Sequence, residues 1–132
     1  MVNIPDNVIA AFNDPKAVKV LTSVSASGKP HSIVCGSIRV AAPNMLIVAE
    51  ILMKSTSANL KKNDKAAILV LVDKTSYLVD VKVKERVTEG PMFEGMNKAL
   101  AAMKLKASAV WVFSPVKVTD QSAGPSAGKK IA

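Results

Sequence analysis

The alternation of apolar and polar residues predicts a protein built mainly of β-strands. From Tyr77 to Val83 every second residue is Tyr or Val, with Asp80 and Lys82 between them, so one face of a strand points inward and the other to water. The unbroken apolar run at 66–72 predicts a strand buried on both faces. Six strands are predicted in all, at 17–25, 30–40, 45–50, 66–72, 77–84 and 107–118.

Three short helices are predicted between these strands. Asp6 can cap the first, and Asn13-Asp14-Pro15 ends it. The second follows Met53, and Gly90-Pro91 opens the third. The third carries an apolar stripe predicted to face the core: Phe93, Met96, Leu100 and Met103. Closing the six antiparallel strands into a small barrel buries their edges, so we predict a mainly β barrel with short flanking helices over residues 1–118 and a flexible tail at 119–132.

Composition narrows the classes of function. A chain of 132 residues forms one core, and its single cysteine, Cys35, excludes an internal disulfide. No apolar run is long enough to cross a bilayer and the N-terminus lacks a secretory pattern, so a cytoplasmic protein with no metal site is expected. The net charge of +8 suits anionic ligands, but basic residues are spread from Lys16 to Lys130 and aromatic residues are scarce, which disfavours nucleic acid.

A lysine and a cluster of hydroxyl groups follow the predicted strand at 45–50. In Lys54-Ser55-Thr56 a cation, donor side chains and the start of a helix come together, and these are the components of a phosphate site. The same residues also fit an ordinary capped helix start in which Lys54 is solvated. Gly36, on the strand at 30–40, allows close approach of a ligand to the backbone or marks a bulge.

The order of elements, with the segments Gly36–Val40 and Met53–Leu60, resembles the pyridoxamine 5′-phosphate oxidase-like, FMN-binding split-barrel family. The resemblance implies a Greek-key-like, six-stranded antiparallel split β-barrel and a homodimer with FMN at the subunit interface. By analogy, three groups of residues form the site: Lys54, Ser55 and Thr56 at the phosphate, with Arg39 as a further candidate; Val34, Cys35, Gly36 and Ser37 along the isoalloxazine; and Val48, Ala49 and Glu50 beside it.

Several residues keep two interpretations. Trp111 is a core residue, a flavin-stacking residue or a dimer contact, and Cys35 is otherwise a small buried hydrophobe. Glu50 is a solvated acid at a strand end or a charge near the flavin ring, and His31 is a surface residue or a ligand.

The expected function is an FMN-binding flavoprotein that takes part in redox chemistry. It acts either as a carrier with a redox protein partner or as an oxidoreductase with a nicotinamide donor. Pyridoxamine phosphate oxidation itself is disfavoured, because the additional basic C-terminal segment of those oxidases is missing from the sequence. The alternative is a non-enzymatic binding module for deazaflavin, haem or nucleic acid, in which haem would depend on the single histidine, His31.

Overall fold

The computed structural model describes residues 2–132, which form three helices and eight strands. The helices are short and amphipathic, and the strands account for most of the regular structure. In chain order the elements are α1 (Asp6–Asn13), β1 (Val18–Val24), β2 (Pro30–Val34), β3 (Arg39–Ala42), β4 (Met45–Glu50), α2 (Lys54–Lys62), β5 (Lys65–Val72), β6 (Thr75–Val87), α3 (Pro91–Ala101), β7 (Ala109–Asp120) and β8 (Lys129–Lys130).

The strands form one antiparallel sheet in the order β2-β1-β5-β6-β7-β4-β3, with β8 paired to β7. In a flat sheet, six strand spacings would separate β2 from β3 by about 29 Å. Only five Cα steps join Val34 to Arg39, and they reach at most about 18 Å. The sheet must therefore curl strongly, so that its two end strands approach each other through the segment 35–38.

The interior of the curled sheet holds the main apolar core. The inward positions are fully buried on four neighbouring strands, and α1 and α2 add side chains that cap this core: Leu21, Ile68, Val79 and Phe113 from the sheet, Val8 and Phe12 from α1, and Leu60 from α2. A second, smaller cluster lies beneath α3, where Met96 and Leu100 pack on Ile47 and Val112. The apolar stripe predicted for α3 is confirmed at Met96 and Leu100, whereas Met103 lies beyond the helix end and is exposed.

The prediction of six strands is wrong, because the segment 30–40 is two strands and a further strand, β8, follows β7. The break comes at residues 35–38, where the chain passes from one end of the sheet to the other. The Lys19 ammonium of β1 donates a hydrogen bond to the Ile38 carbonyl at 2.8 Å and so ties β1 to this crossing segment. Among residues 2–132 no ladder joins β2 to β3, so a closed barrel is not observed.

The C-terminal segment also differs from the prediction. Strand β7 continues to Asp120, two residues past the predicted domain end at 118, and Lys129 and Lys130 pair with it. The Ile131 amide donates to the Val118 carbonyl at 2.9 Å. The structure therefore packs residues 129–132 against β7. No helix in residues 2–132 has the length and apolar character needed to span a bilayer.

Strand β5 is buried on one face only, so the prediction of a doubly buried strand is wrong. Ile68 and Val70 point into the core, while Leu69 is half-buried and Leu71 is exposed on the outer face. The apolar run at 66–72 thus supplies the core and also an apolar outer surface of the sheet.

Candidate functional site

Two clefts lie on opposite sides of the segment that leaves β4. Ala49 and Ile51 line one of them, Glu50 and Leu52 line the other, and Met53 borders both. Strand alternation places Ala49 and Glu50 on opposite sides, and the bend at Ile51 and Leu52, where Leu52 has a φ of 52°, directs the side chains that follow to the two clefts. Five consecutive residues therefore supply a wall to each cleft, and the two clefts are immediate neighbours.

The first cleft, here called the apolar groove, has a volume of about 380 Å³. No lining residue is Asp, Glu, Lys, Arg or His: the residues are Ile33, Val34, Cys35, Gly36, Ser37, Ala49, Ile51, Met53, Leu100, Met103 and Leu105. It runs between the crossing segment 35–38, the end of β4 and the chain that follows α3. A flat apolar ligand is the kind of molecule that such a surface favours.

The crossing segment is held against β4 by Ser37. The Ala49 amide donates to the Ser37 hydroxyl oxygen at 3.1 Å, and the Cys35 sulfur lies 3.2 Å from the same oxygen. A Cβ at Gly36 would meet no atom of the chain within 4 Å, so the side of Gly36 that bears no side chain is open space. The groove therefore has one fixed wall with an accessible backbone.

The second cleft, here called the basic cavity, has a volume of about 490 Å³ and lies along one face of α2. Lys54, Ser57, Ala58 and Lys61 follow the helical spacing of three and four residues, and Lys62 lies at the rim. Among residues 2–132 the ion pairs are Lys82–Asp64 and Arg86–Glu50, so these three lysines have no carboxylate partner in the described chain. The cavity is consequently a positive surface next to the first turn of a helix.

Glu50 forms the polar floor of the basic cavity. Its Oε1 accepts hydrogen bonds from the Ser57 hydroxyl, from Arg86 Nε at 3.1 Å and from Trp111 Nε1 at 2.9 Å. Its Oε2 accepts from the second arm of Arg86, Nη2, at 2.8 Å. Chiefly because of the Arg86 hydrogen bonds, the pKa of Glu50 is lowered to about 2, so the carboxylate is ionised at neutral pH.

The three residues predicted to hold phosphate do not converge on one cleft, since consecutive residues of a helix point about 100° apart. Lys54 lines the basic cavity, whereas Ser55 lines a separate polar pocket with Lys29 and His31. Thr56 is buried in the interior, and its hydroxyl is the one buried side-chain polar atom without a hydrogen-bond partner in the described chain.

The other predicted residues fall into four places. Val34, Cys35, Gly36, Ser37 and Ala49 come together in the apolar groove, and Glu50 reaches the basic cavity. Val48 and Trp111 lie in the main core. Arg39 lines a further cleft of about 470 Å³ together with Lys19, and one of its nitrogens lies 3.6 Å from the Met96 sulfur.

The sequence interpretation missed four residues of the basic cavity and its surroundings: Ser57, Lys61, Lys62 and Arg86. The helical spacing from Lys54 could have identified Ser57 and Lys61, since both lie on its face of α2. Arg86 gave no such signal, because its partner Glu50 is 36 positions away in the chain.

No protein-family model and no curated protein sequence matches this chain. Solved structures do match. HupZ of Group A Streptococcus superposes with a TM-score of 0.82 at 21% identity, over 95% of this chain and 99% of that one. An FMN-binding protein from Syntrophomonas wolfei gives 0.75 at 23% identity, over 90% and 84% of the two chains.

A putative pyridoxamine 5′-phosphate oxidase from Lactobacillus delbrueckii gives a TM-score of 0.73 at 20% identity, over 88% of this chain and 93% of that one. An F420 reductase, at 0.70 and 15% identity, and the haem storage protein HutZ of Vibrio cholerae, at 0.67 and 13%, match as well. Similarity at these identities establishes the fold. The predicted resemblance to the pyridoxamine 5′-phosphate oxidase-like proteins is confirmed at that level.

Proposed function

We propose that this protein, which has the fold of the pyridoxamine 5′-phosphate oxidase-like proteins, binds FMN noncovalently across its two adjoining clefts and takes part in redox chemistry. The observation that carries the proposal is the junction of the clefts at Met53. An uncharged groove suited to a flat ring system continues into a cavity with three unpaired lysines suited to a phosphate group.

The residues present fit such a cofactor. In the apolar groove, open space beside Gly36 admits a ring edge, and Ser37 is already engaged with the β4 backbone and holds that wall in position. In the basic cavity, Lys54 and Lys61 supply charge and Ser57 supplies a hydroxyl. When bound, the flavin would supply electron or hydride transfer, while the chain binds and orients it and excludes water.

The second element of the proposal is a homodimer in which the partner covers the groove. On the outer face of the sheet four side chains lie in register across neighbouring strands: Val34 beside Val20, Val20 beside Leu69, and Leu69 beside Leu78. None of the four belongs to or packs against either buried cluster of residues 2–132, and Val34 is 74% exposed. We call these four residues the outer apolar row.

Val34 belongs both to the outer apolar row and to the apolar groove. A second copy packed on the row would therefore also cover the mouth of the groove, where Met103 and Leu105 are exposed as well. This continuity supports a second copy as the occupant of the row, with a flavin site that is incomplete in the monomer.

The first experiment is a titration of apoprotein with FMN, riboflavin and the deazaflavin F420, followed by flavin fluorescence. Quenching by FMN with much weaker binding of riboflavin is the expected result. Tighter binding of F420 than of FMN would move the cofactor assignment to deazaflavin. Absence of binding by all three would contradict the proposal.

The dimer is tested by Leu69→Asp, which places a charge in the middle of the outer apolar row. Sedimentation should show a monomer, and FMN affinity should fall with dimerisation. Thr75→Asp, at the exposed start of β6, is the matched control and should leave both unchanged. A Leu69→Asp monomer that binds FMN as tightly as the unmodified protein would contradict the shared site.

A carrier and an enzyme are separated by NADH or NADPH oxidation that depends on added FMN. Steady turnover supports an oxidoreductase, whereas flavin binding without turnover supports a carrier. His31, on which a haem site was expected to depend, is exposed on β2 and lines neither the apolar groove nor the basic cavity.

A further inference from the structure

The basic cavity contains a negative charge, that of Glu50, although the ligand group proposed for it is a phosphate. Glu50 lines the cavity together with Lys54, Lys61 and Lys62, and its carboxylate is held ionised by the groups around it. A phosphate placed among the lysines would feel this negative charge from the cavity floor. In a partly buried setting, with less screening than in bulk water, that repulsion is considerable.

Arg86 removes this conflict without lining the cavity itself. Its guanidinium donates hydrogen bonds to both carboxylate oxygens of Glu50 from the side of β6, at 3.1 and 2.8 Å. The Arg86 side chain is 29% exposed. The Trp111 ring lies 5.8 Å from the guanidinium carbon and also donates to Glu50. The bidentate hydrogen bond and the neighbouring Trp111 ring hold the guanidinium against the carboxylate.

We propose that Arg86 strengthens the preference of this site for phosphorylated over unphosphorylated flavin, acting through Glu50 as its counter-charge. The inference rests on the proposed function, because it concerns the cavity assigned to the cofactor phosphate. Arg86 is a positioning residue here: it leaves the lysines with a net positive cavity and leaves the apolar groove untouched. Its loss should therefore weaken binding of FMN and spare binding of riboflavin.

A double-mutant cycle that neutralises each charge tests this reasoning in the full chain, with dissociation constants for FMN and riboflavin measured by fluorescence. Arg86→Gln should weaken FMN binding on the order of tenfold and leave riboflavin binding unchanged. Glu50→Gln should bind FMN at least as tightly as the unmodified protein. The double variant should recover most of the lost FMN affinity, because it carries neither charge, and Arg86→Lys should keep most of the preference.

A purely structural role for Arg86 makes different predictions. FMN and riboflavin affinities would then fall in parallel, and the double variant would bind no better than Arg86→Gln. Either outcome would overturn the proposal. Should Arg86→Gln fail to fold, Glu50→Gln decides the question alone: weaker FMN binding with unchanged riboflavin binding in that variant contradicts a repulsive carboxylate.

The inference can also be separated from the proposed function. If the unmodified protein binds no flavin, calorimetric titration with inorganic pyrophosphate tests the cavity by itself. Pyrophosphate binding that weakens in Arg86→Gln and recovers in the double variant upholds the role of Arg86 while the cofactor assignment fails. No binding of pyrophosphate or FMN by the unmodified protein overturns both.

Discussion

The apolar groove and the basic cavity differ in the charge of the residues that line them, although one short segment builds a wall of each. The groove is lined by apolar side chains and backbone, while the cavity is lined by three lysines over an ionised glutamate. Strand alternation at Ala49 and Glu50, followed by the bend at 51–52, directs these side chains to the two clefts. Under the proposed function, this comparison divides the specificity of the site: the groove would select by shape and the cavity by charge.

The largest effect on FMN binding is expected when the positive charge of the basic cavity is removed. Lys54→Ala combined with Lys61→Ala should weaken FMN binding roughly a hundredfold, because each charged hydrogen bond to phosphate contributes about 1.5–3 kcal/mol before solvent screening. Riboflavin binding should stay constant, and both are read by fluorescence titration. Lys65→Ala with Lys74→Ala, at exposed positions outside both clefts, is the matched control, and an equal loss there would point to overall charge instead.

Glu50, on the floor of the basic cavity, should make the free energy of unfolding depend on pH in acid. The pKa of Glu50 is lowered to about 2 from its ordinary 4.5, so its contribution to the free energy of unfolding is complete above about pH 4.5 and is lost as pH falls toward 2. The contribution is about 2 to 3 kcal/mol.

Urea unfolding of the unmodified protein and of Glu50→Gln between pH 2.5 and 7 measures this contribution. The stability difference between the two should be largest near neutral pH and should shrink in acid. A difference that stays constant with pH would mean that Glu50 stabilises the fold by packing rather than by charge.

A substitution at Gly36 tests whether the apolar groove selects its ligand by shape. Gly36→Leu should fold normally, since a Cβ there meets no atom within 4 Å, but its side chain would fill space needed by the ring. FMN and riboflavin affinities should fall together by about tenfold, as expected for overfilling of a packed site. Gly95→Leu on α3, where space is also open, serves as control in the same fluorescence titration. A loss confined to FMN would place the phosphate, not the ring, beside residue 36.

The smallest effect is expected at Thr56, which lines neither cleft. Its buried hydroxyl has no hydrogen-bond partner, so Thr56→Val should raise the free energy of unfolding by about 1 kcal/mol at nearly constant shape. FMN affinity should not change. Urea denaturation measures the first quantity, and a destabilised variant would show that the hydroxyl is bonded after all.

The general fold could be predicted from the sequence, but the break at 35–38 and the pairing of β8 with β7 could not. Period-two patterns identified the strands, and Gly90-Pro91 located the start of α3. The break at 35–38 escaped because Pro30–Val34 and Arg39–Ala42 are both compatible with extended chain. The pairing of Lys129 and Lys130 with β7 escaped because a Gly-, Ser- and Lys-rich segment carries no strand pattern.

The predicted residues of the candidate site also divide into those that line a cleft as expected and those that do not. The family resemblance supplied Gly36, Ser37 and Ala49, which line the groove, and the local pattern of a lysine followed by hydroxyl groups supplied Lys54, which lines the cavity. It also assigned Ser55 and Thr56 to the phosphate, where the geometry of a helix turns them away from Lys54.

What the sequence determined by itself is the mainly β character, the approximate position of most strands and the excess of positive charge, because these depend on short-range periodicity and composition. Tertiary structure alone decided that the segment 35–38 joins the two end strands and lines the groove. It also decided that Arg86 reaches Glu50 and Trp111. These contacts join positions 25 to 61 residues apart, and no local pattern encodes which distant side chains will meet when the sheet closes upon its core.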